Sequence, residues 1–251
     1  MAGSGGGLAP GGPACYRQEN RSPVAAAAHR GRTVLGKFIT FEGGEGSGKS
    51  TQARLLADAL AARNIATAMT REPGGSPFAE AMRHVILDPA TPPHSPLSEA
   101  LLFYAARADH LDHVVRPALN DGVWVICDRF IDSTRVYQGV AGGLPGEVID
   151  TLNEMIVSPT LPDLTIILDL PAELGLGRAY ARRVDRINPD TEADAYERRD
   201  LEFHWRLRGA FQAIAAAEPQ RCVLIDAAQD EQEVFAEVWR AVESRLLAAG
   251  A

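Results

Sequence analysis

The chain has 251 residues, 46% of them hydrophobic and 23% charged, which is the composition of a single domain with a full core. Its formal net charge of −8 argues against a protein that coats nucleic acid or an anionic membrane, so phosphate chemistry has to rely on locally clustered cations. No apolar run approaches the ~18 residues of a membrane span, and the N-terminus has no apolar stretch of the secretory kind.

Residues 1–35 are rich in Gly, Ala and Pro without periodicity and are expected to form a disordered extension to a domain over 36–251. Arg17, Arg21, Arg30 and Arg32 beside the single acid Glu19 give that extension a faint likeness to a transit peptide, but a solvated tail or a start codon placed too early fits better. Phe38–Phe41 reads as a buried strand and 52–63 as a helix, with Leu55, Leu56, Ala59 and Leu60 on one face. Between them, Gly43-Gly44-Glu45-Gly46-Ser47-Gly48-Lys49-Ser50-Thr51 satisfies the phosphate-binding pattern G-x-x-x-x-G-K-[ST] in full. Ile65–Thr70 reads as a second strand, broken by Glu72-Pro73-Gly74-Gly75 so that Arg71 stands at its C-terminal end. Helices are expected over 77–87 and 97–120, then a central strand over 123–127 that delivers Asp128 and Arg129 to the same edge. A helix over 145–157, a strand over 164–168 and an arginine-rich stretch over 178–186 follow. A long helix from about Ala193 to Ala217, a strand over 222–225 and an amphipathic helix over 231–247 complete the chain, with no internal repeat. Strands alternating with helices imply a parallel sheet, expected to have five strands in a three-layer α/β fold. Cys15, Cys127 and Cys222 form no metal-type pair, and buried free thiols imply a reducing compartment.

The chemistry of the glycine-rich motif follows from its composition. Glycines let backbone N–H groups close around phosphate oxygens, and the helix N-terminus adds partial positive charge. Lys49, one of only two lysines in the chain, would reach the β- and γ-phosphates of ATP, and the Ser50 hydroxyl would ligate Mg²⁺. Asp128 after an apolar strand has the position of an acid that holds the Mg²⁺ water shell, although Asp also forms turns at strand ends. Arg71 and Arg129 at two strand ends would grip a second phosphate bidentately. Phe103 and Arg107, four apart on one helix, would stack on a base and read its edge, or would be a core Phe beside a solvated Arg. Arg178, Arg182, Arg183 and Arg186 would form a lid over about 178–192 that brings cations to the transferring phosphoryl, since Gly46 leaves the phosphate loop without an arginine.

Taken together these residues resemble the thymidylate kinase family, from roughly Lys37 to the C-terminus. The resemblance rests on Phe41–Thr51, on Thr70-Arg71-Glu72-Pro73-Gly74-Gly75 and on Leu101-Leu102-Phe103-Tyr104-Ala105-Ala106-Arg107. Asp128-Arg129-Phe130 with Ser133, Tyr137 and Gln138, and Pro162-Asp163-Leu164-Thr165, extend it. It implies ATP and dTMP as substrates, Mg²⁺ as cofactor, a cytoplasmic homodimer and no nucleic-acid partner. Glu45 would contact the deoxyribose 3′-hydroxyl and help order the Mg²⁺ waters, Arg71 and Arg129 would hold the acceptor phosphate, and Phe103 would stack on thymine with Arg107 at its O4. Tyr137 would crowd the 2′ position, Ser133 and Gln138 would line base and sugar, and 226–229 would lie beside adenine. Arg182 or Arg183 would be the catalytic cation, as in the bacterial subtype with lid arginines. Val136, Asn188 and Phe211 depart from the family pattern, at the sugar wall, in the lid and at a position often held by tyrosine. From the residues alone another P-loop kinase, or a P-loop scaffold without catalysis, stays open; a GTPase-like switch lacks its guanine-reading N-K-x-D.

Overall fold

The computed structural model describes residues 35–184 and 195–248, apart from the side chain of Arg183. The N-terminal extension up to residue 34, Cys15, Asp185, Arg186 and Asn188 lie outside the described residues, as does most of the expected lid beyond Val184.

Five strands form one parallel sheet: β1 (Phe38–Gly43), β2 (Thr67–Arg71), β3 (Trp124–Asp128), β4 (Leu164–Asp169) and β5 (Cys222–Asp226). Their order across the sheet is β2-β3-β1-β4-β5. β1 is buried along its whole length, flanked by β3 and β4, with Phe41 opposite Asp128 and Ile166. The connection after β1 runs to β2 on one side and that after its neighbour β4 runs to β5 on the other, so the C-terminal ends of β1 and β4 face the crevice in which such folds bind ligands.

Helices cover both faces. α1 (Lys49–Ala61) and α9 (Glu231–Val242) pack Leu56, Leu60, Val234 and Val238 onto one face, against Ile39 and Phe41. α2 (Pro77–Leu87), α3 (Pro96–His110), α4 (Arg116–Asn120), α5 (Ile131–Thr134), α6 (Gly146–Leu152), α7 (Ala172–Val184) and α8 (Leu201–Ala217) make up the remaining helices. Leu111 and Val115 lie against Phe38, Val125 and Cys127 on the opposite face, and Leu207 and Phe211 of α8 join Ile167 there. Strand alternation therefore sends Ile39 and Phe41 to one layer and Phe38, Thr40 and Glu42 to the other. Local chemistry sets the helix starts. Ser76 caps α2 and Ser95 caps α3, each followed by Pro, and Asp230 with Glu233 forms a capping box on α9.

One expectation needs correction, and two stretches left without an element are helical. The helix expected from about Ala193 begins at Leu201, because the Asp200 side chain accepts from Phe203 N at 2.8 Å and fixes the start there. The arginine-rich stretch forms the second half of α7, up to Val184. The segment after Asp128-Arg129 is also helical: α5 runs into a wider π turn over Arg135–Ala141, which the strand-and-helix reading passed over. Cys127 and Cys222 are buried free thiols, as expected.

Candidate active site

The phosphate loop joins β1 to α1. Gly43, Gly46 and Gly48 have φ of 133°, 69° and 92°, values that side chains strain to adopt. Lys49 Nζ donates to Gly43 O at 3.1 Å, Gly44 O at 2.7 Å and Ser47 Oγ at 3.2 Å, which holds the lysine over the loop. Burial and the nearby Arg129 guanidinium lower Lys49 to about 8, against the pull of Glu45 and Asp128. Ser50 Oγ donates to the Asp128 carboxylate, so the two oxygen groups expected at the cation stand together.

A cleft of about 440 Å³ lies on one side of the loop, lined by Gly46, Ser47, Gly48 and Thr51, by Arg178 and Arg182 of α7, and by Ala227, Gln229 and Asp230 after β5. Arg178 Nη1 donates to Ala227 O at 3.1 Å and ties α7 to that turn. Of the expected adenine-side residues, Ala227 and Gln229 line this cleft. A second cleft of about 300 Å³ runs from Gly46–Ser50 to Arg71, Arg83, Asp128 and Arg129, and Arg182 lines it too.

A third cleft, about 120 Å³, is walled by Glu45, Glu72, Phe103, Arg129, Ser133, Tyr137, Gln138 and Tyr196. Glu45 accepts from Arg129 Nη2 at 2.6 Å and from Tyr137 OH at 2.8 Å. Burial pushes Glu45 up, but Arg129, Lys49 and the Tyr137 hydrogen bond outweigh it and bring the carboxyl to about 2. Arg129, at φ 71°, also donates to Gly43 O at 3.0 Å and Ser133 Oγ at 3.2 Å, which points its guanidinium back at the phosphate loop. Arg71 is turned to Glu80 with two 3.1 Å bonds. Arg107, expected to read the base edge, is fully buried and is not among the residues that line this cleft. Its Nε donates to Glu72 at 2.7 Å and its Nη2 to Phe130 O and Thr134 Oγ1, while the buried Nη1 has no partner. Although burial opposes it, Arg107 and His110 hold Glu72 below the ordinary carboxylate range. The Gln138 amide is likewise buried with Oε1 unpartnered.

The structure thus gathers Glu45, Phe103, Arg129, Ser133, Tyr137 and Gln138 around one cleft, and Arg71, Lys49, Ser50 and Asp128 around its neighbour. Val136 does not form a sugar wall; it is buried among Phe103, Ile167 and Leu207, because the π turn directs it into the core. Phe211 packs edge-on to Tyr137 with ring centres 6.5 Å apart. The sequence reading missed Arg83, which lines both acceptor clefts and donates to Pro73 O at 2.8 Å, and Tyr196, Glu72 and Gln52. A signal for Arg83 existed: it is the arginine that follows the Pro73–Gly75 turn on the first helix after the ligand edge.

Two clefts lined by cationic side chains that share Gly46, Ser47, Gly48 and Arg182, next to a third fitted with an aromatic ring and polar groups, define a P-loop phosphotransferase of the nucleoside monophosphate kinase type. Residues 41–238 match the family model described as Thymidylate kinase. The thymidylate kinase of Nitrobacter winogradskyi is 49% identical over 228 residues, covering 91% of this chain and 97% of the relative. That of Bradyrhizobium diazoefficiens is 52% identical over 212 residues, covering 84% and 91%. The crystal structure of thymidylate kinase from Ehrlichia chaffeensis superimposes with a TM-score of 0.66 at 35% identity, covering 83% of this chain and 99% of that one. The chain belongs to the thymidylate kinase family.

Proposed function

We propose that the protein transfers the γ-phosphoryl group of ATP to the 5′-phosphate of dTMP, giving dTDP and ADP. The observation that carries this reading is the junction of the clefts: Gly46, Ser47, Gly48 and Arg182 border both the donor side and the side that holds Arg71, Arg83 and Arg129. A donor bound along the first cleft presents its terminal phosphate beside Lys49, and an acceptor phosphate gripped by Arg129, Arg71 and Arg83 stands opposite. That phosphate is already anionic, so no general base is needed, and catalysis rests on alignment and charge neutralisation. Arg182 is in place to neutralise the oxygens in transit, and Arg178 to hold the donor side.

The base-side cleft supports a thymine acceptor. Phe103 provides a face to stack on, and Gln138 lines the cleft with Oε1 an unused acceptor. Thymine offers the complement, an N3–H donor, whereas cytosine has an N3 lone pair there. Tyr137, bonded to Glu45, would crowd a ribose 2′-hydroxyl.

Mg²⁺ fits the donor set. Ser50 and Asp128 offer a hydroxyl and a carboxylate at the phosphate loop, and no group of three or more acidic, imidazole or thiol side chains forms a cage among the described residues. Ser50 and Asp128 would hold the ion with water and phosphate oxygens, where it would supply charge neutralisation; Glu45, bound to Arg129 and Tyr137, would act on its waters at most. The buried free thiols Cys127 and Cys222 support a reducing compartment, the cytoplasm. Among the described residues no helix is long and apolar enough to cross a membrane.

The test is ADP release with Mg·ATP against dTMP, dUMP, UMP, dCMP and AMP. The expected result is a kcat/KM for dTMP at least ~100-fold above those for UMP and dCMP, the scale of discrimination that unpaired buried polar groups impose. A preference for AMP or UMP would keep a kinase and discard the base-side assignment. Silence with every acceptor despite ATP binding would favour the scaffold reading.

A further inference from the structure

We infer that Glu99 and Tyr196 set the base selectivity of the acceptor cleft by fixing which way round the Gln138 amide stands. The inference rests on the reading above, in which Gln138 faces the base.

The three groups form a chain with one permitted direction. Tyr196 OH donates to Glu99 Oε1 at 2.6 Å, and Gln138 Nε2 donates to Tyr196 OH at 3.1 Å. A carboxylate has no proton to give, so the single hydroxyl proton of Tyr196 goes to Glu99. The phenolic oxygen then has only lone pairs left to offer, and the group facing it has to be a donor. Gln138 meets that need only with Nε2. The flipped amide would set Oε1 against another lone-pair oxygen and leave a buried N–H₂ unsatisfied, both unfavourable at a residue 1% exposed. The carboxylate of Glu99 thus decides, two residues away, that Oε1 is the atom left unpartnered beside the base.

The relay is also mechanically held. Tyr196 packs edge-on against Tyr137, with ring centres 5.1 Å apart and planes at 87°, so its hydroxyl has little room to swing. Glu99 and Phe103 stand at i and i+4 on α3, so one helix face supplies the start of the relay and the stacking ring. With the amide locked, Gln138 turns an acceptor toward the base. That acceptor takes a pyrimidine with N3–H and rejects one with an N3 lone pair. Neither Glu99 nor Tyr196 needs to touch the base; both act through Gln138 as positioning residues.

The test compares kcat/KM for dTMP and dCMP at saturating Mg·ATP in wild type, Tyr196→Phe, Glu99→Gln and Gln138→Ala. Tyr196→Phe removes the hydroxyl and frees the amide, so the dTMP:dCMP ratio is expected to fall roughly tenfold, the value of one directed neutral hydrogen bond, with KM for ATP unchanged. Glu99→Gln, whose amide can donate as well as accept, is expected to lower the ratio less and in the same direction. In the Gln138→Ala background, Tyr196→Phe is expected to change the ratio by less than about twofold, since its effect runs through the missing amide. A ratio unmoved in both single variants, or a Tyr196 effect that persists without Gln138, would overturn the relay and leave Tyr196 as wall packing. The Gln138 side-chain amide resonance separates this from a failure of the functional reading. Its protons are expected to exchange more slowly in wild type than in Tyr196→Phe whatever the acceptor proves to be. Equal exchange in the two proteins would also overturn the relay.

Discussion

Glu42 is the residue that connects the phosphate loop to the acceptor residues. Strand alternation buries its carboxylate completely, where it accepts from Phe130 N at 2.8 Å, Ser133 N at 3.3 Å and Ser133 Oγ at 2.6 Å. It thereby caps the short α5 from a strand far away in sequence. Burial and the neighbouring Asp132 carboxylate raise Glu42 to about 7, while Ser133, Arg129 and Phe130 pull the other way. The sign of the consequence follows from linkage. A folded-state value above the unfolded one means that the folded protein keeps a proton the unfolded chain gives up. The contribution is therefore full below the model value of 4.5 and lost as pH rises through about 7. Glu45, depressed to about 2, loses its contribution only in stronger acid, and Lys49, lowered to about 8, acts only in more alkaline solution. Between these ranges Glu42 dominates the site's contribution. Glu42→Gln keeps the shape and cannot ionise, so its stability relative to wild type should improve by on the order of 1–3 kcal/mol between pH 5 and pH 8. Urea unfolding at the two pH values measures this. Parallel changes in wild type and variant would mean that the carboxyl titrates normally.

Among the helices, α7 has the most direct bearing on catalysis, through its contact with the phosphate loop. A Cβ on Gly46 would lie 2.0 Å from Gly175 O, and one on Gly175 2.2 Å from Glu45 O, so loop and helix backbones touch. Gly175, Arg178 and Arg182 fall at i, i+3 and i+7, one face of α7. The backbone contact therefore aims two arginines along the donor cleft, and it gives a steric reason why no arginine stands at position 46. Arg182→Ala should lower kcat by about 100-fold or more, toward the 10³–10⁵ of arginine fingers, and change either KM far less. Gly175→Ala, with every arginine retained, should lower kcat about tenfold or more by displacing the helix, since an ångström-scale misplacement carries costs of that order. Single-turnover rates decide both; an Arg182→Ala rate within about tenfold of wild type would move the catalytic role elsewhere on the chain. The same elements show what was legible beforehand. The strands and the phosphate loop could be read because a continuous apolar run and a spaced glycine pattern are local signals. α7 could not, because Gly175 and Gly177 weaken the helical pattern and the contact that requires Gly175 is with Glu45, 130 residues earlier. α5 was equally hidden: it has four residues and its cap comes from β1. Arg129, Tyr137 and Gln138 could be named through the family motif, whereas Tyr196 becomes a site residue only when the fold brings distant segments together.

At the scale of the whole molecule, the residues that read the acceptor are carried by an element whose other face is open. Glu99, Phe103 and Arg107 point inward from α3, while Leu97 and Leu101, on the opposite side of the helix, are 44% and 49% exposed. Phe78 and Val85, seven apart on the adjoining α2, are also exposed, at 48% and 41%. Large apolar side chains exposed on two packed helices are the kind of surface that a two-fold pairing of identical chains covers, and this supports the homodimer that the family resemblance implies. Pairing there would brace α3 from outside and so steady the cleft that Phe103 lines. Leu101→Glu places a charge in that surface without touching the cleft. Sedimentation at about 10 µM should give a dimer for wild type and a monomer for the variant, since a buried unpaired carboxylate costs several kcal/mol. The functional consequence should be one-sided. KM for dTMP is expected to rise roughly three- to tenfold while KM for ATP holds, because the donor cleft is built from the phosphate loop, α7 and the turn after β5, which lie outside this surface. A variant that stays dimeric would place the interface on another face. One that becomes monomeric with both KM values unchanged would show that α3 needs no outside support to read its base.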